Sequence, residues 1–332
     1  MHNERQNFKE RADEYLHKTS QCLSTHLFIL SEEEHETLCL RRWSKARCAN
    51  KELVIRRLER NLPLCYKISM STLQRQPAFL ETARQDMWWV QPLLVFAGFT
   101  CFIVYSTWAA FQGNHYHFGN YLSPFYSPEI FGDSPHALFG PKPTWWPGFL
   151  PFSPALLILW APGGFRFTCY YYRGAYYKAF WADPINCAVG EPRKSYLGER
   201  SFPLIMQNVH RYFLYLALIF IVMLTYDVWN AMWFADADGV MRFGVGVGTL
   251  ILALNVVLLS SYTLGCHSLR HLVGGVFDQL SRKPARFKVY KCVTCLNTRH
   301  MLYAWLSLFC VGFSDVYVRL CSMGIITDWR LF

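Results

Sequence analysis

Residues 212–233 read YFLYLALIFIVMLTYDVWNAMW, 22 positions with a single charge, Asp227. At a rise of about 1.5 Å per residue, a helix of this length crosses the roughly 30 Å hydrocarbon core of a bilayer. Three more runs pass the same test, at 88–111, 243–262 and 301–323. A fifth, at 149–181, is interrupted by Pro162-Gly163-Gly164 and continues into an aromatic, basic half. The fold class is therefore all-α: a polytopic membrane protein, a bundle of about five transmembrane helices, with the second span broken or long and tilted. Such a break is tolerated where neighbouring helices satisfy the freed backbone groups.

The net charge is +10. Its distribution points to membrane orientation and not to nucleic acid, because cytoplasmic loops collect Lys and Arg. The loop between the second and third spans, with its flanks, carries Arg173, Lys178, Arg193, Lys194, Arg200 and Arg211; that between the fourth and fifth carries Arg270, Arg282, Lys283, Arg286, Lys288, Lys291 and Arg299 against Asp278. The first loop has Lys142 alone, and the third sets Asp236 and Asp238 against Arg242. The expected placement is the cell (inner) membrane, multi-pass, with the N-terminus and basic loops cytoplasmic and the C-terminus outside.

Residues 1–69 differ from the rest, with 13 basic and 10 acidic side chains and no apolar periodicity. They read as a charged, poorly structured N-terminal segment, followed by a five-helix transmembrane anchor domain at 70–332. Met70 opens a stretch that reads as the start of a membrane subunit, so translation from Met70 is expected, which N-terminal sequencing of the native protein tests. No secretory signal precedes the first span, which inserts as an anchor. The 12 cysteines lack the close spacing of a disulfide framework.

Once the spans are oriented, soft ligands from distant positions fall near one membrane face. They are Cys169, Cys187, His210, Cys266, His267, His271 and His300. Cysteine and neutral histidine bind iron, haem or zinc, and polar groups at membrane depth are costly without a partner or a function. Cys169, Cys187, Cys266, His210, His267 and His271 form the primary metal-ligand set, not all of which can ligate. His267 and His271, four apart, share a helix face; Cys266 and His271, five apart, diverge by about 140°. Cys101, Cys310 and Cys321 read as small apolar fillers, and Cys292 and Cys295 form a lone CVTC, a weak zinc signal. His115, His117 and His136 read as surface residues of the outer loop. Asp315 and Arg319, also four apart, can pair within the last span, and Asp227 is placed to reach water at the outer end of the third. Tyr170, Arg173 and Tyr177 belong partly to an interfacial aromatic belt and also suit a quinone head group, whose carbonyls tyrosine hydroxyls and a basic side chain can polarise.

The segments QDMWW, TCYYYRGAYYKAFW, DPINCAVGEP, FPLIMQNVHRYF, CHSLRH, LNTRHM and ITDWRLF recur in an order that resembles the single-chain, five-helix anchor of actinobacterial-type succinate dehydrogenase. The likeness covers about residues 84–332. LGCHSLRHLVGGVFD also resembles the R-H-L-x-x-D signature of succinate dehydrogenase cytochrome b subunits, with His271 at the haem-ligand position and Asp278 later than that pattern expects. The resemblance implies the membrane anchor of complex II, which holds a flavoprotein and an iron-sulfur protein at the inner face and passes electrons to menaquinone or ubiquinone. It also implies a membrane-embedded Rieske-type [2Fe-2S] cluster, which takes two Cys and two His. The Cys-x-His and Cys-x-x-His boxes of soluble Rieske proteins are absent, so a b-type haem, for instance on His210 and His271, stays open. No dinucleotide glycine motif, Walker lysine loop or nucleophile elbow occurs, so the chain reads as a non-catalytic subunit whose partners carry the succinate chemistry. The alternatives are a haem-carrying fumarate reductase anchor and a non-redox membrane scaffold or transporter. A higher oligomer of the complex stays open.

Overall fold

The computed structural model describes residues 78–192, 204–235, 238–275, 279 and 282–332. The charged segment 1–69 and Arg193, Lys194, Arg200, Asp236 and Asp278 lie outside the described residues. In chain order the helices are α1 Val90–Gln112, α2 Pro154–Ile158, α3 Trp160–Phe167, α4 Tyr170–Ala179, α5 His210–Asn230, α6 Val247–Leu264, α7 His267–Gly274, α8 Pro284–Asn297 and α9 His300–Ser322. Two short antiparallel hairpins join them, β1 His117–Phe118 with β2 Tyr121–Leu122, and β3 Trp233–Ala235 with β4 Met241–Phe243.

Among the described residues four helices are long and apolar enough to cross a membrane, α1, α6, α9 and the stretch Ile205–Asn230 that contains α5. Large apolar side chains stand on their outward faces, with Leu94 and Val222 each 67% exposed. Such continuous apolar surface suits acyl chains as solvent and not water. The protein is a multi-pass helical bundle.

The second span is broken, but not at Pro162-Gly163-Gly164 as expected. Those residues lie inside α3, and the breaks fall at Leu159 and at Thr168-Cys169. At Leu159 the chain keeps its helical path, with the Leu159 N–H bonded to Ala155 (3.0 Å) and its carbonyl to the Gly163 N–H (2.9 Å); the interruption there is the one bond that Pro162, lacking an N–H, does not give to Ile158 four residues back. At the second break the Thr168 hydroxyl donates to the Gly164 carbonyl (2.7 Å) and Cys169 is extended (φ −68°, ψ 134°) ahead of α4. Side-chain bonding of this kind competes with the helix and bends it.

The loop after α1 folds into a cap over one end of the bundle. The turn out of α1 needs Gly113, which is left-handed (φ 62°) and so close to Phe152 that a Cβ would lie 2.9 Å from its carbonyl oxygen. Tyr116 and Tyr126 stack at 4.3 Å, and the Tyr126 hydroxyl donates to the Ala109 carbonyl at 2.6 Å. The buried Glu129 accepts from Tyr116 at 2.9 Å and from Ser134. Asp227 does not simply reach water: Ser127 of the cap donates to its carboxylate. In this cap His117 and His136 are half-buried, while His115 is exposed.

Asp315 and Arg319 pair as their spacing suggests, at 3.1 Å and almost wholly buried. The carboxylate also accepts from Tyr105 (2.5 Å) and Ser123, and Arg319 donates to the carbonyls of Asn114 (2.9 Å) and Ala109 (3.3 Å). This network ties α9 to α1 and to the cap. The C-terminal segment is stapled to the same end, where Asp328 accepts from Tyr121 (2.7 Å), Tyr317 (2.7 Å) and the Gly248 N–H (2.8 Å). At the opposite, basic end lie α4, α7, α8 and the starts of α5 and α9.

Candidate metal centre

Four of the soft ligands meet at the basic end. Cys169 stands just before α4 and Cys266 just before α7, both extended residues at a helix start. His210 and His300 are the first residues of α5 and α9. Each is therefore fixed by the beginning of a helix, and all four are buried, with Cys169 and Cys266 in one apolar core with Phe165, Tyr172, Leu214 and Tyr262.

The side chains meet as two Cys–His pairs. His210 Nε2 lies 3.1 Å from Cys266 Sγ, and His300 Nε2 lies 3.8 Å from Cys169 Sγ. The pairs adjoin, with Cys169 in electrostatic range of Cys266 and His210 of His300. The tautomer of His210 follows from its neighbours. Thr168 has one hydroxyl proton and gives it to the Gly164 carbonyl, so its oxygen accepts from His210 Nδ1–H at 2.8 Å. That leaves the Nε2 lone pair turned toward Cys266. His300 Nδ1 is buried with no hydrogen-bond partner among the described residues.

A wall of rings closes the site. Phe165 stacks on His210 at 4.6 Å and 10°, and Tyr262 stacks on His300 at 4.9 Å and 20°. Behind them Arg166 lies over the Tyr262 ring at 4.9 Å and donates to Tyr172 (2.6 Å), Ser307 (3.0 Å) and the Ala304 carbonyl (3.2 Å). No carboxylate among the described residues pairs with it.

Other expected ligands stand apart from these two pairs. The Cys187 thiol is exposed, on a loop whose Cys187 carbonyl accepts from Arg84 at 3.0 Å. His267 and His271 do share a face, but they are exposed and meet each other, Nε2 to Nε2 at 3.1 Å. Tyr170, Arg173 and Tyr177 form a cluster of their own, the guanidinium 5.3 Å from one ring centre and 5.9 Å from the other, with Gln207 accepting from Arg173 at 3.0 Å. Thr168, Arg166, Phe165 and Tyr262 carry no motif that singles them out.

Among the described residues no three His, Cys, Asp or Glu side chains close around one ion as they stand. Two buried cysteines and two buried histidines are nevertheless the donor composition of a Rieske-type [2Fe-2S] unit, which places two Cys on one iron and two His on the other. The pairs seen here are each one Cys with one His. A bis-His haem fits less well, because both buried imidazoles have a face covered by a ring and turn Nε2 to sulfur. His271, the partner expected for His210, is instead engaged with His267.

A helical membrane-spanning subunit with a buried Cys/His centre at one end is the class that fold and site define. Residues 90–324 match the model of the actinobacterial succinate dehydrogenase subunit SdhC, and the chain belongs to that family. It is similar to a chain of the Mycobacterium smegmatis Sdh1 complex in the apo form, with 42% identity and a TM-score of 0.69 over 78% of this chain and 96% of that one. A comparison with curated proteins returned no match. The protein is thus a membrane-anchor subunit of the succinate dehydrogenase type.

Proposed function

We propose that this chain is the membrane anchor and electron-transfer subunit of a succinate:quinone oxidoreductase, docked at its basic end to iron-sulfur and flavoprotein subunits. The observation that carries the reading is the meeting of Cys169, His210, Cys266 and His300 as two buried pairs at that end. The similar M. smegmatis chain is part of an Sdh1 complex, which supports assembly with partner subunits here. Cys169, Cys266, His210 and His300 would hold a Rieske-type [2Fe-2S] cluster, which when bound accepts and passes on one electron at a time. The residues around it do the rest of the work. Thr168 keeps a proton on His210 Nδ1 so that Nε2 is free to ligate, and the Phe165 and Tyr262 rings exclude water from both imidazoles. The exposed cations of α8, Arg286, Lys288 and Lys291, face the side where the partners dock, which by their charge is cytoplasmic.

Electron paramagnetic resonance of the purified, reduced complex tests this reading. The expected result is a two-iron signal with nitrogen coupling from histidine, lost in Cys169→Ser and Cys266→Ser and kept in Cys187→Ser. Soret and α absorbance bands without that signal would establish haem instead, and neither signature would defeat the redox reading.

A further inference from the structure

Arg166 is a cation set among rings inside the bundle. It lies in the second half of α3, half-buried, and what is uncovered of it lines an apolar chamber between the helices. A guanidinium keeps its charge in any protein surroundings, and a charge at membrane depth is costly unless it is paired or has a function. No carboxylate among the described residues pairs with Arg166. Its bonds go to neutral groups, the Tyr172 hydroxyl, Ser307 Oγ and the Ala304 carbonyl, which hold the guanidinium in place without cancelling its charge. That fixed charge stands close to one of the two Cys–His pairs. The Arg166 carbonyl accepts from the Cys169 N–H at 3.1 Å. The guanidinium lies 4.9 Å from the centre of the Tyr262 ring, which is itself 4.9 Å from the centre of His300, so cation and imidazole are no more than about 10 Å apart with one aromatic ring between them. Cys169 and His300 are both in electrostatic range of Arg166.

We propose that Arg166 is the fixed counter-charge of the centre held by Cys169, Cys266, His210 and His300, raising its reduction potential. This rests on the cluster reading above. In a Rieske-type unit two thiolates and two sulfides balance two ferric irons, so with neutral imidazoles it is uncharged when oxidised and gains one negative charge with the electron it takes from a partner's iron-sulfur group. The cation is then uncompensated in the oxidised state and compensated in the reduced one, and removing it lowers the potential. At an effective dielectric of about 20 and a separation of about 10 Å, a unit charge changes a one-electron equilibrium by roughly tenfold, equivalent to about 59 mV. An Arg166 that only ties α3 to α4 and α9 through its hydrogen bonds would change iron retention and leave the potential alone.

The test is a potentiometric titration of the paramagnetic signal in the whole purified complex. Arg166→Gln is expected to lower the midpoint potential by that tenfold equivalent, with line shape and iron content kept. Arg166→Lys restores the charge without the fork of donors and is expected to return most of the shift. Ser307 gives an independent measure, because its Oγ is 3.0 Å from Arg166 Nη2, and a carboxylate there cancels the charge with the guanidinium still present. Ser307→Asp is expected to lower the potential and the isosteric, neutral Ser307→Asn to leave it, and this pair decides the matter if Arg166→Gln sheds its iron. An unmoved midpoint in Arg166→Gln, a shift that Arg166→Lys does not restore, or equal midpoints in Ser307→Asp and Ser307→Asn overturns the proposal while the cluster reading stands. An unmodified complex without the signal defeats the cluster reading, and this proposal with it.

Discussion

Replacing Asp315 by Ala removes the only carboxylate, among the described residues, that pairs with a cation that has nowhere to go. Asp315 is fully buried and Arg319 is 3% exposed, so the guanidinium left behind cannot recover hydration by turning outward. Breaking a buried pair by deleting one partner costs about 3–5 kcal/mol. The hydroxyls of Tyr105 and Ser123, which both donate to this carboxylate, lose their acceptor as well, at about 1 kcal/mol or more each. At about 2–4 °C per kcal/mol for a domain of this size, the melting temperature of the detergent-solubilised complex should fall by roughly 10–30 °C. The companion variant Asp315→Leu/Arg319→Met removes both charges together. It should lose markedly less than the single variant, because the remaining penalty is confined to hydroxyls and carbonyls that lose a neutral partner. Thermal unfolding followed by intrinsic tryptophan fluorescence reads both. A single variant that melts with the parent would refute the reasoning, as would a double variant less stable than the single one.

Thr168→Val removes the acceptor that holds the His210 tautomer and should weaken cofactor retention by about 10–100-fold, read as iron content after chelator challenge; full retention would show that the hydroxyl is not needed. Asn255 is completely buried and both polar atoms of its amide lack a hydrogen-bond partner among the described residues. Asn255→Leu should therefore stabilise the bundle by about 1–2 kcal/mol, and a lower melting temperature would show that water satisfies the amide. In the cap, burial holds the His117 imidazole below its ordinary value, with His136 acting in the same direction and Glu129 against it. The folded state then binds this proton less readily than the unfolded state, so the contribution is fully present above pH about 6.5 and is lost as pH falls below it through the lowered folded-state value. His117→Gln should flatten the decline in melting temperature between pH 7.5 and 5, and an unchanged slope would remove His117 as its cause.

What could be read from the chain and what could not divides along sequence distance. The spans were legible because an apolar run of membrane length has one outcome, and the Asp315–Arg319 pair because four residues is one helical turn. The larger break was misplaced because Pro162 and Gly163 are breakers by type, whereas around Pro162 the chain keeps its helical path and forgoes only the bond to Ile158. The actual break, at Thr168, depends on a hydroxyl bonding four residues back, which no composition signals. The cap escaped notice altogether, since Ser127 and Ser123 acquire their roles only from partners on α5 and α9, as much as 192 residues away, and Glu129 from Tyr116 and Ser134 across the folded loop. Of the soft ligands, helical spacing drew attention to His267 and His271, the pair that ends up exposed. The four that meet come from four separate segments, and only tertiary packing assembles them.

Each of those four donors opens a helix, Cys169 for α4, His210 for α5, Cys266 for α7 and His300 for α9. The aligned peptide dipoles of a helix amount to about half a positive charge at its N-terminus, effective within the first turn. At both cysteines, however, the negative end of the preceding helix lies at the same place, α3 ending at Phe167 and α6 at Leu264, so the two dipoles oppose each other. What the breaks before α4 and α7 supply is therefore position: each turns the chain out of its span's helical path at a cysteine, and it is there that the thiol meets a histidine from another helix.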